Sequence, residues 1–100
     1  MKFAICNEFC QNWPMARVFD LAAKTGFQGV EIAPFTLAPD VNAISAQQRR
    51  DLVREAQAAG IEVVGLHWLL VSPPGLHLTH PDREVRERTI SYLRALIYFC

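Results

Sequence analysis

Three short apolar runs, each followed by an amphipathic stretch, recur roughly every thirty residues along this chain of 100, the spacing that parallel strands joined by crossover helices require. The runs are KFAIC at Lys2–Cys6, GVEIA at Gly29–Ala33 and IEVVGLH at Ile61–His67. Between the first two, Met15, Val18, Phe19, Ala22 and Ala23 fall at helical spacing, with Pro14 at the start and Gly26 placed to end the helix. Ser45 and Gln48 form a capping-box signature ahead of a second helix that Gly60 terminates. A third helix starts near Pro81 and runs to the last residue, with Val85, Thr89, Leu93, Leu96, Ile97 and Cys100 on one predicted face. The expected class is α/β: three strand–helix repeats read as right-handed βαβ units and a parallel sheet.

The connections are unequal. Helix-to-strand turns are only Gly26-Phe27-Gln28 and Gly60, whereas strand-to-helix loops span Asn7–Trp13, Pro34–Ile44 and Trp68–His80. In parallel α/β folds, sites form at the carboxyl ends of strands, where these longer loops sit. The third loop is apolar, Pro-rich and carries histidines. It reads as a wall of a pocket.

The last helix ends on Ile-Tyr-Phe-Cys without a glycine stop or a polar tail. The expectation is that residues 1–100 form the amino-terminal piece of a longer protein, continuing into a further strand. A sheet of three parallel strands needs both faces covered, so such a piece exposes apolar surface, and self-association into a homo-oligomer is one expected consequence.

Charge narrows the function classes. Ten basic and ten acidic residues balance, so nothing suggests nucleic acid, a membrane surface or a polyanion as partner. No secretory signal or bilayer-length apolar run is present. Three cysteines, Cys6, Cys10 and Cys100, fit reduced thiols and a cytoplasmic location, with one disulfide left open.

Several residues are candidates for chemistry. Period-two alternation groups Gly29, Glu31 and Ala33 on one face of the second strand, and Ile61, Val63, Gly65 and His67 on one face of the third. Glu31 lies between Val30 and Ile32, where a carboxylate is costly unless paired. It reads either as a substrate-hydroxyl or metal-shell contact, or as the partner of a structural Arg or Lys. His67 reads as a metal ligand, a substrate contact, or a core histidine satisfied by backbone. Asn7 either donates to substrate or caps a turn. Trp13, Phe35 and Trp68 follow their strands and suit either sugar stacking or core filling. His77 and His80 have HxxH spacing but sit in a loop, where capping is commoner. Cys6 and Cys10 lack a second pair, so no structural zinc site is expected. Neither a dinucleotide nor a P-loop glycine motif occurs.

Three stretches together resemble the sugar phosphate isomerase/epimerase superfamily, the xylose isomerase-like TIM barrels that include endonuclease IV-type AP endonucleases. They are ARVFDLAAKTGFQGVEI at Ala16–Ile32, AAGIEVVGLH at Ala58–His67, and THPDREVRER at Thr79–Arg88. The resemblance implies an eight-stranded barrel with a divalent metal (Mn2+, Mg2+, Co2+ or Zn2+) held by carboxylates and a histidine of later strands. It implies proton transfer between adjacent carbons of a sugar or sugar phosphate through an enediolate. It makes residues 1–100 the truncated amino-terminal portion of a single (β/α)8 domain, with the first three strand–helix repeats; on this chain it assigns Glu31 and His67 with Trp68 to the substrate side, and the endonuclease branch makes His67 a metal ligand as well. The catalytic carboxylates would lie on later strands. The 100 residues alone are therefore expected to be inactive and to hold no cofactor. The alternative is a DNA-repair phosphodiesterase, disfavoured because neither Pro34–Ile44 nor Trp68–His80 carries Lys or Arg.

Overall fold

A computed structural model describes residues 1–100. Three strands, β1 (Ala4–Cys6), β2 (Gly29–Ile32) and β3 (Glu62–Leu66), form one sheet in the order β1-β2-β3, with both pairs parallel. The helices are α1 (Met15–Lys24), α2 (Ala46–Ala59) and α3 (Arg83–Phe99). The alternation predicted from the sequence is the one observed.

Local chemistry explains where the helices stop. Gly26 and Gly60 take φ of +86° and +68°, a left-handed conformation that costs glycine little. In each case the glycine N–H and the next N–H bond back into the last turn: Gly26 to Ala23 and Phe27 to Ala22, then Gly60 to Gln57 and Ile61 to Ala56. This is the paired closure of a Schellman motif, and it turns Phe27 and Ile61 inward. At the start of α2, Ser45 Oγ accepts from the Gln48 N–H at 3.1 Å, and the Gln48 side chain accepts from the Ser45 N–H at 2.8 Å.

One core lies between the sheet and its first two helices. Met15, Val18, Phe19 and Ala22 of α1 form a single buried stripe with Val30 and Ile32 of β2, Ala56 of α2 and Ile61. A second cluster joins Val41 and Ile44 of the loop after β2 to Tyr92 and Leu96 of α3. The opposite face of the sheet has no covering layer, and Val64 there is 51% exposed.

Three expectations change. First, β2 and β3 shift register between Val30 and Glu31: Val30 pairs with Val63, but Glu31 pairs with Gly65. This bulge breaks period two within β3, so Ile61 packs on the helix side while Gly65 and His67 belong to the Glu31 side. Second, α3 buries Thr89, Tyr92 and Leu96, and leaves Ile97 at 74% and Tyr98 at 79% exposure. The buried face is rotated because α3 docks on Val41 and Ile44 rather than on the sheet. Third, the apolar loop after β3 is mostly packing: Leu69, Leu70 and Leu76 cover the second cluster, and the His77 N–H donates to Thr89 Oγ1 at 2.8 Å. Only its first residues face the strand ends. All three cysteines are free. No helix is long and apolar enough to cross a membrane.

Candidate functional site

The parallel register sets the site. Cys6 lies beside Glu31 and Glu31 beside Gly65, each at the carboxyl end of its strand. Gly65 stands directly beside that carboxylate: a Cβ there would lie 4.0 Å from Glu31 Oε1, an ordinary contact. The His67 N–H continues the ladder by donating to Ile32 O at 2.8 Å. The backbone therefore delivers a thiol, a carboxylate and an imidazole to one edge of the sheet.

The imidazole sits between two acids. His67 Nδ1 is 3.3 Å from Glu31 Oε2, and its Nε2 is 3.5 Å from Glu8 Oε2. Glu31 thus pairs with a histidine, and no Lys or Arg reaches it. Glu8 comes from the 3-10 turn Asn7–Cys10 that follows β1, and its Oε2 is buried without a hydrogen-bond partner. The ligand atoms of Cys6, Glu31 and His67 all lie within 4.8 Å of one another. Burial pushes the Cys6 thiol above its ordinary value of 9.0, and the negative charges of Glu8 and Glu31 push it the same way.

Trp68 follows at φ +56°, a backbone region that a bulky residue adopts at a cost of order 1–3 kcal/mol. The conformation turns its indole outward, 57% exposed. Its ring meets Phe35 edge-on, with centroids 6.0 Å apart. An exposed, edge-supported indole next to a polar pair offers an apolar plate beside hydrogen-bonding groups. The Glu31 and His67 side chains are 40% and 43% exposed, so the site is an open rim, with the uncovered sheet face beneath it.

The other candidates are placed elsewhere. Asn7 is 2% exposed and its amide is fully engaged by protein. It donates to Thr36 Oγ1 at 2.8 Å, contacts Met15 Sδ at 3.4 Å, and accepts from the Ala33 N–H at 2.7 Å. It ties the end of β1 to the end of β2 and so fixes the turn that carries Glu8. Trp13 is covered by the Arg17 guanidinium, 3.7 Å from its centroid. His77 and His80 hold local turns, their Nδ1 atoms accepting from the N–H groups of Thr79 and Asp82.

Cys6 and Glu8 are site residues that the sequence does not single out. Cys6 has no cysteine pair in the sequence, and its neighbours come from β2 and the end of β3. The signal was present in the alternation: Cys6 ends β1 as Glu31 nearly ends β2. For Glu8 there was no such signal, because a 3-10 turn has no period that aims a side chain at a distant strand.

Among known families, the model described as xylose isomerase-like TIM barrel matches residues 19–100, well over half of the chain. Comparison with curated proteins and with solved structures gives no match.

Proposed function

The chain belongs to the xylose isomerase-like TIM barrel family, and on that premise we propose that it supplies the first three βα units of a sugar, or sugar phosphate, isomerase or epimerase. The reaction is proton transfer between adjacent carbons of the sugar through an enediolate. The observation that carries this reading is the rim itself: the Glu31–His67 pair at 3.3 Å next to the exposed Trp68 ring. A sugar presents hydroxyls on its edges and apolar C–H faces, and this rim offers partners for both.

Each residue has a role in that reading. Glu31 accepts from a sugar hydroxyl, His67 donates to or accepts from a neighbouring one, and Trp68 stacks on the C–H face. Glu8 fixes the tilt of the His67 ring. Asn7, proposed from sequence as a substrate contact, holds the scaffold in place. A divalent metal, when bound in the barrel, polarises the sugar carbonyl. The convergence of thiol, carboxylate and imidazole in this chain is compatible with a cation at this end of the sheet.

Cleavage of abasic DNA is the less favoured reading. Affinity for a DNA backbone rests on Lys and Arg neutralising phosphates. Residues 7–14, 33–45 and 67–82, which make up the three strand-to-helix loops, contain neither.

Chemical-shift titration of the chain separates the two readings. The ligands are a ketose, its phosphate ester, and duplex DNA with an abasic site. Perturbation of the Trp68 indole and His67 ring by either sugar, with DNA inert, is expected. Salt-sensitive DNA binding, or sugars that leave both rings untouched, contradicts the proposal.

A further inference from the structure

We infer that the rim selects an uncharged sugar and rejects a phosphorylated one, and that Glu8 together with Glu31 sets this selectivity. The inference rests on the sugar reading of the rim and narrows it: the substrate class is a free ketose or aldose, not its phosphate ester.

Hydrogen-bond polarity and charge act in the same direction. An ionised carboxylate only accepts, and a phosphate monoester is rich in acceptors and carries about −1.5 to −2 near neutral pH. A sugar hydroxyl donates as well as accepts. The side chains of Glu8 and Glu31 are 37% and 40% exposed, so both face a ligand at the rim. No hydrogen-bond donor reaches Glu8 Oε2. His67 is the one group of the cluster able to carry positive charge, and a carboxylate oxygen faces each of its nitrogens, at 3.3 and 3.5 Å. Two carboxylates against at most one imidazolium leave the cluster net negative in either state of the ring. A hydroxyl meets acceptors there, whereas a phosphate meets like charge.

The usual means of holding a phosphate are missing from these strand ends. Residues 7–14, 33–45 and 67–82 contain no Lys or Arg. Arginines in the first turns of the helices are engaged elsewhere. Arg17 lies over the Trp13 ring at 3.7 Å and Arg49 over Tyr98 at 5.2 Å. Arg83 pairs with Glu87 at 2.7 Å, and Arg86 donates to the carbonyls of His80 and Pro81. Backbone N–H groups at a helix start are the other phosphate cradle. Ser45 and Gln48 close the start of α2 with their own side chains, and Asp82 accepts from the Glu84 N–H at 2.9 Å, placing a carboxylate on the start of α3. Only α1 begins without a side-chain cap, and the cation of its first turn is the Arg17 held on Trp13. On a molecule the size of a hexose, a terminal phosphate stays within a screening length of the two acids, about 10 Å at 0.1 M salt, whichever end faces the rim.

The test is a chemical-shift titration of the chain at low ionic strength, read at the Trp68 indole and the His67 ring. The probes are fructose, each of its two terminal phosphate monoesters, and inorganic phosphate. Both esters are expected to bind about tenfold more weakly than fructose, and inorganic phosphate to leave both rings unmoved. Salt at about 1 M, where the screening length is about 3 Å, brings the esters within about twofold of fructose. That arm depends on no variant's folding. Glu8→Gln removes one of the two charges at constant size and cuts the preference to about threefold, while Glu8→Asp, which keeps the charge, retains it. Three results overturn the inference while leaving the sugar reading in place: an ester that binds as tightly as fructose, a preference that salt and Glu8→Gln leave unchanged, or inorganic phosphate that shifts the two rings. Fructose that moves neither ring ends the sugar reading and this inference with it.

Discussion

Replacing Asn7 with alanine tests how the rim is held together. The Asn7 amide is the only hydrogen-bond partner of the Ala33 N–H, at 2.7 Å, and it also donates to Thr36 Oγ1 at 2.8 Å. At 2% exposure water does not replace it. Leaving a buried N–H unsatisfied costs about 1–3 kcal/mol, and losing the second bond adds about 1 kcal/mol. The expected loss is therefore about 2–4 kcal/mol, against a total of about 5–15 kcal/mol for an ordinary domain. For a chain of this length that lowers the melting temperature by about 8–30 °C. Thr36→Val keeps the acceptor of the Ala33 N–H but removes two bonds of the Thr36 hydroxyl, from the Asn7 amide and to Ala33 O, and loses about 1–3 kcal/mol. Urea unfolding followed by circular dichroism measures both variants and their double. Coupling between the two positions is expected, because they share one bond. An Asn7→Ala loss below about 0.5 kcal/mol, the range of an ordinary surface change, would refute the assignment of Asn7 to the scaffold.

Gly29→Ala would put a Cβ 2.6 Å from Val64 Cγ1 and 3.2 Å from Ala4 Cβ; it is expected to destabilise by about 1–3 kcal/mol, with Val64→Ala recovering more than half, as read by the urea midpoint. Ser45→Ala removes the capping box and is expected to cost about 1 kcal/mol, with amide exchange in the first turn of α2 rising before that of its middle. Burial raises the Cys6 and Cys10 thiols above 9.0 and the Tyr92 hydroxyl above 10.0. The folded chain therefore keeps protons that the unfolded chain releases, and this stability is intact below 9.0 and lost as pH rises through the folded values. Urea midpoints at about pH 8 and about pH 10 should show that fall, and a Cys6→Ser/Cys10→Ser chain should show a shallower one.

What the sequence disclosed follows from locality. The α1 stripe, the Ser45–Gln48 box and the Gly26 and Gly60 stops depend on residues three to five positions apart, and they appear as read. The parallel class follows from strand spacing and loop lengths, both visible in one dimension. What escaped depends on distant partners. The bulge opposite Val30 and Glu31 is a property of two strands together, and it moves Ile61 off the face of His67. The Leu69–Leu76 segment read as a pocket wall because its apolarity was visible while its partner, Tyr92 on α3, was not. Glu31 and His67 were recognised singly as costly or reactive groups. Their convergence with Cys6 and Glu8 required the register. Asn7 was singled out correctly as a polar residue at a strand end, but its burial turns it from a ligand contact into a tie.

The role proposed for this rim is proton transfer on a sugar. Its most direct test is turnover in D2O by a (β/α)8 barrel assembled with this chain as its first three units, with a divalent metal supplied and the product read by mass and by proton spectrum. The account predicts deuterium incorporated at the carbon next to the carbonyl, at a rate that Glu31→Gln or His67→Asn lowers. Conversion of the sugar with no solvent deuterium in the product, or cleavage of abasic DNA with no sugar turned over, would contradict it.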